Sequence, residues 1–267
     1  MLNPIQSKML PNQYILKKYN DDEYRLIIFK NSILNAGYEE EHLSNVPELE
    51  PEEYQKHECN ISRTRAKIYE YAACNEFEYF VTFTLNKKNL DRYDLDLFIT
   101  KFGQFIRNYR RIKGLNIQYI LIPEQHKDGA WHMHGLINGI DQEELKPFTV
   151  YDKIPLRIKN LVRAGRVICN WERYEKKFGW VTLEKIRNKK AVSKYITKYV
   201  KKDIGVSVIE KNKKSYYVTR GLKLSTVEKK GTFPTLLRNA LVPDFENEFV
   251  SLFDLNKSEY EFLLSQL

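Results

Sequence analysis

The sequence has few of the features that mark secreted or membrane proteins. Its 267 residues include only three cysteines, which are widely spaced and odd in number. That usage suits a reducing cytoplasm and matches no zinc-ligand spacing, so we expect the cysteines to serve in packing. The sequence holds no run of 18 uninterrupted apolar residues, and its N-terminus lacks the apolar core of a signal peptide. We therefore expect a cytoplasmic protein with no membrane partner.

The sequence also lacks an ATPase signature, whereas positive charge is abundant. No Gly-x-x-x-x-Gly-Lys-Ser/Thr pattern occurs, so there is no recognisable P-loop. The net charge is +9, and the eighteen residues from Lys185 to Lys202 contain eight Lys or Arg and no acid. Residues 39–53 contain seven acids, and residues 244–261 contain six acids against one lysine. A basic centre between acidic ends predicts a polyanion site, although a charge run can also be a solvated helix face.

The order of apolar patterns predicts an α+β fold with helices packed on a largely antiparallel sheet of about five strands. Strand patterns occupy residues 23–30, 77–85, 116–123, 131–137, 168–171, 179–186 and 215–224. Helical patterns occupy residues 62–72, 94–111, 188–202 and 257–264. We expect three parts: an N-terminal extension with an acidic linker (1–56), a central domain (57–225) and an acidic C-terminal tail (226–267).

The densest chemistry lies in the strand pattern at 131–137. His132 and His134 are one residue apart, so in a strand both point to the same face. Glu124 stands eight residues before His132 at the end of another strand, and the intervening segment has the Asp-Gly signal of a hairpin turn. The hairpin would bring Glu124 beside the histidines, and this set predicts a catalytic divalent-metal site. Alone, such a histidine pair is more often two polar residues on a solvated strand face than a metal site.

The basic helix predicted at 188–202 supplies a second group of reactive side chains. Tyr195 and Tyr199 lie one turn apart, where an apolar stripe meets an arc of lysines, with Tyr199 nearer the stripe. The stripe is formed by Val192, Ile196 and Val200. A phenol becomes a competent nucleophile when cations or a metal assist it, and Lys198 could hold a phosphate. With a metal, these groups suit transesterification of a phosphodiester. The simpler alternative is that the two tyrosines only pack on the sheet.

In order and spacing, these motifs resemble those of the HUH endonucleases. More narrowly, they resemble rolling-circle replication initiators (Rep proteins) of the two-tyrosine type found in small single-stranded DNA phages and plasmids. The similarity extends over about residues 62–202. Its motifs are Phe80-Val81-Thr82-Phe83-Thr84, then Glu124 with His132-Met133-His134, then Tyr195-x-x-Lys198-Tyr199. Relaxases have the tyrosine before the histidines, so the order found here disfavours that branch. Thr82 and Thr84 share one face of their strand, which we interpret as lying beside the site.

The resemblance implies that the central domain (57–225) is an HUH endonuclease catalytic domain with an RRM-like fold and a specific chemistry. Mg²⁺ or Mn²⁺ would be held by three side chains: Glu124, His132 and His134. Tyr195 would be the primary nucleophile, Lys198 would accompany it, and Tyr199 would be the second tyrosine, so that one cleaves while the other holds the first strand. The products would be a 5′-phosphotyrosine link and a free 3′-OH that primes synthesis.

The resemblance also implies partners and a location. The substrate would be single-stranded or origin DNA in the cytoplasm of a bacterial host, with a host helicase and DNA polymerase as further partners. DNA contacts are expected from six basic side chains: Arg63, Arg65, Lys190, Lys194, Lys201 and Lys202. Two other functions fit the same patterns. One is an HUH-type transposase, and the other is a non-catalytic module that binds single-stranded nucleic acid without forming a covalent product.

Overall fold

The computed structural model describes residues 9–10, 12–30, 32–33, 50–200, 214–247 and 249–267. The chain divides into two compact units. One is Glu50–Lys223, and the other combines the described residues of Met1–Leu49 with those of Leu224–Leu267. Within the described ranges, no helix has both the length and the apolar character needed to cross a membrane.

The strands and helices are numbered in chain order over the described residues. The strands are β1 (Met9–Leu10), β2 (Gln13–Lys18), β3 (Tyr24–Phe29), β4 (Ser32–Ile33), β5 (Tyr79–Thr84), β6 (Gln118–Gln125), β7 (Trp131–Asn138), β8 (Leu145–Pro147), β9 (Ile168–Trp171), β10 (Val181–Lys185), β11 (Tyr217–Val218), β12 (Thr226–Thr232), β13 (Phe245–Glu246) and β14 (Val250–Leu255). The α-helices are α1 (Glu50–Cys74), α2 (Leu95–Lys113), α3 (Leu156–Arg163), α4 (Glu172–Lys177), α5 (Lys189–Ile196), α6 (Thr235–Ala240) and α7 (Lys257–Gln266). Two 3-10 helices span Gln142–Glu144 and Thr197–Tyr199.

A seven-stranded sheet organises the unit Glu50–Lys223 among its described residues, in the order β11-β6-β7-β5-β10-β9-β8. Every pairing in it is antiparallel. This confirms the predicted α+β class with helices packed on an antiparallel sheet. The sheet is wider than the expected five strands because two very short strands, β8 and β11, form its edges. A run of two or three residues is too short for alternation to identify it as a strand.

Side-chain alternation gives the two faces of this sheet different roles. Val81 and Phe83 point to the face covered by α2 and α4, where they join a large aromatic core. The opposite face carries Ile120, Ile122 and Leu136, which pack against α1 and α5. The site therefore lies on the face that α1 and α5 share, because Thr82, Thr84 and the two histidines alternate with the aromatic core residues.

Helix α2 forms where the sequence predicts an amphipathic helix. Asp94 caps its N-terminus, since the carboxylate accepts a hydrogen bond from the backbone N–H of Leu97 at 2.9 Å. Gly114 ends the helix in the left-handed conformation, with φ of 67°. Four of its buried side chains are aromatic: Phe98, Phe102, Phe105 and Tyr109. Their burial anchors the face of the sheet opposite the site.

Helix α1 begins earlier than the predicted helix at 62–72. Its first residue is Glu50, so residues 50–56, which the sequence analysis assigned to an acidic linker, are helical. Pro51 is compatible with this because the N–H groups of a first turn have no acceptor within the helix. The rest of the proposed linker lies outside the described residues.

The other unit pairs the two ends of the chain. Its sheet has the order β12-β2-β3-β14-β13 among the described residues. The N-terminal strand β3 lies against β14, with Tyr24 opposite Leu255, and β2 lies against β12. The sequence predicts two separate extensions at these ends, because each strand is half-buried and its partner is some two hundred residues away. Acids of the tail lie beside N-terminal bases here, as in the Arg25–Asp254 ion pair at 2.6 Å.

Candidate active site

The β6–β7 hairpin brings Glu124 and the two histidines together. Glu124 lies directly opposite His132, and Ile122 lies opposite His134. The turn between the strands contains Gly129 at φ 83°, a conformation that glycine adopts without strain. The three side chains therefore share one face of two adjacent strands, as the hairpin signal predicts.

Two threonines on the neighbouring strand β5 hold the histidine rings. The Oγ1 atom of Thr82 lies 3.1 Å from Nδ1 of His134, and that of Thr84 lies 3.1 Å from Nδ1 of His132. Each contact follows from the strand register, which sets each threonine opposite its histidine. Fixing Nδ1 orients the ring and leaves Nε2 for another partner. For His134 that partner is Glu124, whose Oε2 lies 2.8 Å from Nε2.

Burial keeps both imidazoles uncharged. It lowers the pKa of His132 and that of His134 to about 4, although the carboxylate of Glu124 opposes this change in both. At neutral pH the contact between His134 and Glu124 is therefore a hydrogen bond donated by Nε2–H, not an ion pair. A carboxylate with two neutral imidazoles is a donor set that divalent cations accept.

These donors are not arranged as a ligand set in this conformation. Over the part of the chain that the structure describes, no group of three His, Cys, Asp or Glu side chains has an arrangement that could hold a metal ion. The hydrogen bond between Glu124 and His134 joins two of the candidate ligand atoms to each other. A metal ion would have to replace that hydrogen bond. The chemistry of the donors thus fits a divalent ion, whereas their present positions do not.

His126, in the hairpin turn, contacts the site more closely than a solvated turn residue would. It is exposed, but its ring stacks on that of His132 with centroids 3.8 Å apart. Burial is the largest cause of the lowered pKa of His132, and the nearby His126 lowers it further.

The tyrosine-bearing segment crosses the same face of the sheet. Helix α5 ends at Ile196, earlier than the predicted 202, and Tyr199 belongs to the 3-10 helix that follows. The Tyr199 ring stacks on His134, with centroids 3.9 Å apart and an interplanar angle of 15°. The two tyrosine hydroxyls are 2.9 Å apart. Tyr199 is only 9% exposed and Tyr195 is 38% exposed, in line with their predicted positions relative to the apolar stripe.

The two phenols differ in how readily they ionise. Burial raises the pKa of Tyr195, but hydrogen bonds from Lys198 and Tyr199 outweigh it, so that the pKa falls below its ordinary value. Burial raises the pKa of Tyr199, and its hydrogen bond to Tyr195 raises it further. The Lys198 ammonium lies 3.5 Å from the centroid of the Tyr195 ring and 5.1 Å from that of Tyr199. Tyr195 is therefore the more acidic and more accessible phenol of the pair.

This part of the chain is similar to one described family. Residues 78–204 match the family model for Replication-associated protein ORF2/gene 2 protein. That family consists of rolling-circle replication initiators, so the match supports a Rep-type protein that binds origin DNA. The matched span contains both threonines, the Glu124/His132/His134 group and both tyrosines. No curated protein and no solved structure matches the chain significantly.

Arg65 anchors the tyrosine segment of this Rep-like region from α1. Its guanidinium donates two hydrogen bonds to the backbone carbonyl of Val200, at 3.2 Å from Nε and 2.7 Å from Nη2. The sequence predicts Arg65 as a DNA contact, and its hydrogen bonds to Val200, the residue after Tyr199, also give it a structural role. Charge-assisted hydrogen bonds of this kind are stronger than neutral ones.

The other basic residues proposed to bind DNA are dispersed. Arg63, Lys190 and Lys194 are exposed on α1 and α5, whereas Lys201 and Lys202 lie outside the described residues. Two site residues were not identified from the sequence. Phe80 packs against both tyrosine rings, at centroid distances of 5.5 Å and 6.1 Å. Arg157 lowers the pKa of both phenols by its charge, but it lies in a Pro-interrupted stretch with no clear periodicity.

Proposed function

We propose that this protein is a rolling-circle replication initiator that nicks and rejoins single-stranded origin DNA through a tyrosine. One observation carries the proposal: the Tyr199 ring stacks on His134 while its hydroxyl lies 2.9 Å from that of Tyr195. Two phenols thus lie beside a carboxylate and two neutral imidazoles. Packing alone would not require both hydroxyls to meet next to this group.

Tyr195 is the first nucleophile in this proposal. Its phenolic proton is released first, and the phenolate oxygen then attacks the phosphorus of the scissile phosphodiester. The new Oη–P bond forms while the P–O3′ bond breaks, and the leaving O3′ takes up a proton. The products are a 5′-phosphotyrosine link and a free 3′-OH. The Lys198 ammonium stabilises the phenolate before attack and the phosphate charge during it.

Tyr199 has a distinct role. Its raised pKa and its burial make it the weaker nucleophile in the DNA-free protein. We propose that it attacks a second phosphodiester after Tyr195 has been esterified, because the loss of the Tyr195 hydroxyl removes the hydrogen bond that contributes to its high pKa. One tyrosine would then hold the first strand while the other cleaves.

Glu124, His132 and His134 are the residues that would hold Mg²⁺ or Mn²⁺. The bound ion would supply positive charge to the oxygens of the scissile phosphate. Thr82 and Thr84 would keep the two imidazoles oriented throughout. We further propose that strand separation and extension depend on a host helicase and DNA polymerase.

The test is the covalent adduct. A labelled single-stranded origin oligonucleotide is incubated with the protein and Mn²⁺, and the products are separated on a denaturing SDS gel. Wild type should yield an SDS-stable adduct, and the Tyr195→Phe variant should yield none. A suitable control is Tyr151→Phe, because Tyr151 is almost fully exposed and is not a site residue. EDTA should abolish the adduct in every case.

Each alternative predicts a different result. A non-catalytic binding module would bind the oligonucleotide without metal and without any adduct. If Tyr195→Phe still formed an adduct while Tyr199→Phe did not, the two tyrosines would have the opposite order of action. An HUH-type transposase would join mobile-element ends in preference to a replication origin.

A further inference from the structure

A cleft adjoins Tyr195, and neither His132 nor His134 lines it. It has a volume of about 420 Å³ and is lined by residues of α3, β10 and α5, with the Tyr195 ring as one wall. This volume falls within the range of about 300–1,000 Å³ that is typical of small-molecule sites. No role in the proposed cleavage uses this space, so its occupant has to be identified from its walls.

One part of the lining is apolar and aromatic. Phe80 and Tyr195 meet edge to face, with ring centroids 5.5 Å apart, and both line the cleft. Leu161, Ile186 and Val192 complete this part. Flat aromatic and apolar surfaces suit a nucleic-acid base, which stacks on such side chains with little dependence on its identity.

The rest of the lining is basic. Arg157, Lys185 and Arg187 all border the cleft. Glu184, an acid in the lining, forms an ion pair with Arg166, which also lines the cleft. The cleft therefore has a net positive charge, which suits a phosphate. An arginine presents a planar fork of donors that matches phosphate oxygens.

We infer that this cleft holds one nucleotide of single-stranded DNA next to the phosphodiester that Tyr195 attacks, with its base on the apolar wall and its phosphate on Arg157. The inference rests on the proposed function, because the adjacent phosphodiester is the one cleaved. A nucleotide held here would restrict the position of the next phosphate relative to the Tyr195 hydroxyl. Such positioning would hold the phosphate and the Tyr195 hydroxyl close to the geometry that the attack requires.

The base-binding part is tested by filling the cleft. Ala191 is an exposed residue of α5 that lines it, so Ala191→Trp should occupy the space without disturbing the core. The probe is a fluorescein-labelled single-stranded DNA 12-mer of random sequence, with binding followed by anisotropy in EDTA. Ala191→Trp should weaken binding about fivefold to tenfold. Asn160→Trp is the control, since Asn160 is exposed on α3 and does not line the cleft.

A 12-mer of abasic residues separates base from phosphate. Wild type should bind it more weakly than the random 12-mer, and Ala191→Trp should lose most of this preference. Arg157→Gln should weaken both probes and reduce the salt dependence of binding by about one phosphate contact. Arg163→Gln, an exposed arginine on the same helix, should leave affinity and salt dependence unchanged.

The results separate this inference from the proposed function. The inference is overturned if Ala191→Trp and Arg157→Gln, with wild-type circular dichroism and thermal unfolding, bind the random 12-mer like wild type. The assignment of one DNA nucleotide to this cleft stands if they bind as expected, even if the wild-type protein forms no adduct. That combination would contradict the proposed cleavage alone. A wild-type adduct with unchanged binding by both variants would support cleavage and reject the nucleotide pocket.

Discussion

At the level of single residues, the hydroxyl groups of Thr82 and Thr84 are suited to more than one state of the histidines. In the present conformation Nε2–H of His134 donates to Glu124, so Nδ1 must accept from the Thr82 hydroxyl. A metal ligand needs the other tautomer, in which Nε2 offers its lone pair and Nδ1–H donates. A hydroxyl can act as donor or acceptor, so Thr82 can satisfy both tautomers.

Thr82→Val should therefore weaken metal binding, although valine has nearly the same shape as threonine. Loss of the partner to Nδ1 should lower Mn²⁺ affinity about tenfold, the lower end of the effect typical of such outer partners. The measurement is the Mn²⁺ concentration that gives half-maximal adduct yield, supported by calorimetric Mn²⁺ titration. Thr182→Val is a matched control on the neighbouring strand, where Thr182 lies opposite Thr82. Equal Mn²⁺ midpoints for the two variants would contradict this role.

Lys198 should set the pH at which Tyr195 becomes reactive. In the proposed cleavage the phenolate is the attacking form, and Lys198 helps to lower the pKa of Tyr195 against the opposing effect of burial. Lys198→Met should raise this pKa and move the rise in cleavage rate to higher pH. At a fixed neutral pH the rate should fall about tenfold for each unit by which the pKa rises.

The pH profile of the initial rate of adduct formation gives the measurement. Lys198→Arg keeps the positive charge and should leave the profile close to that of wild type. A profile unchanged in Lys198→Met would show that the lysine does not act through the phenol.

At the level of secondary structure elements, the β6–β7 hairpin depends on a close approach at Gly135. A Cβ atom at this position would lie well inside contact distance of the Ile120 carbonyl oxygen and of a Leu121 methyl group. The neighbouring residue on β7 is His134, so any shift of the strand displaces the site. The glycine is therefore required by the packing of two strands and not by its backbone angles.

Gly135→Ala should destabilise the fold by about 1–3 kcal/mol, the usual cost of overpacking a core. Chemical denaturation followed by tryptophan fluorescence measures this, and adduct yield should fall in parallel. Gly103→Ala is the control. Its Cβ would meet only the end of the Arg107 side chain at 3.4 Å, and alanine favours the interior of α2. A Gly135→Ala protein as stable as wild type would show that β6 and β7 can move apart without a loss in the free energy of unfolding.

At the level of the whole molecule, local patterns could be predicted and distant pairings could not. The strands of the β6–β7 hairpin, the amphipathic α2 and the order of the three motifs all leave a short-range signal in the sequence. The pairing of β3 with β14 leaves no such signal, because it depends on which of several distant strands packs its apolar face into the same core. For the threonine–histidine contacts, the sequence predicts only that Thr82 and Thr84 share one face of their strand. It does not predict which histidine each threonine contacts. Arg157 reaches the tyrosines through tertiary packing, which has no counterpart in residue spacing.

The division into two units leads to a prediction about the isolated central unit. Every described residue with a role in the proposed cleavage lies within Glu50–Lys223, which contains apolar cores on both faces of its sheet. A protein of residues 50–223 should therefore unfold cooperatively, bind single-stranded DNA and form the adduct. It should bind at least as tightly as the full chain, because it lacks the acids of residues 244–261. Anisotropy and the SDS gel provide the measurements, and the same fragment with Tyr195→Phe is the control. A fragment that folds but forms no adduct would contradict this prediction. It would show that the unit formed by the two chain ends is needed for adduct formation, although it contributes none of the proposed site residues.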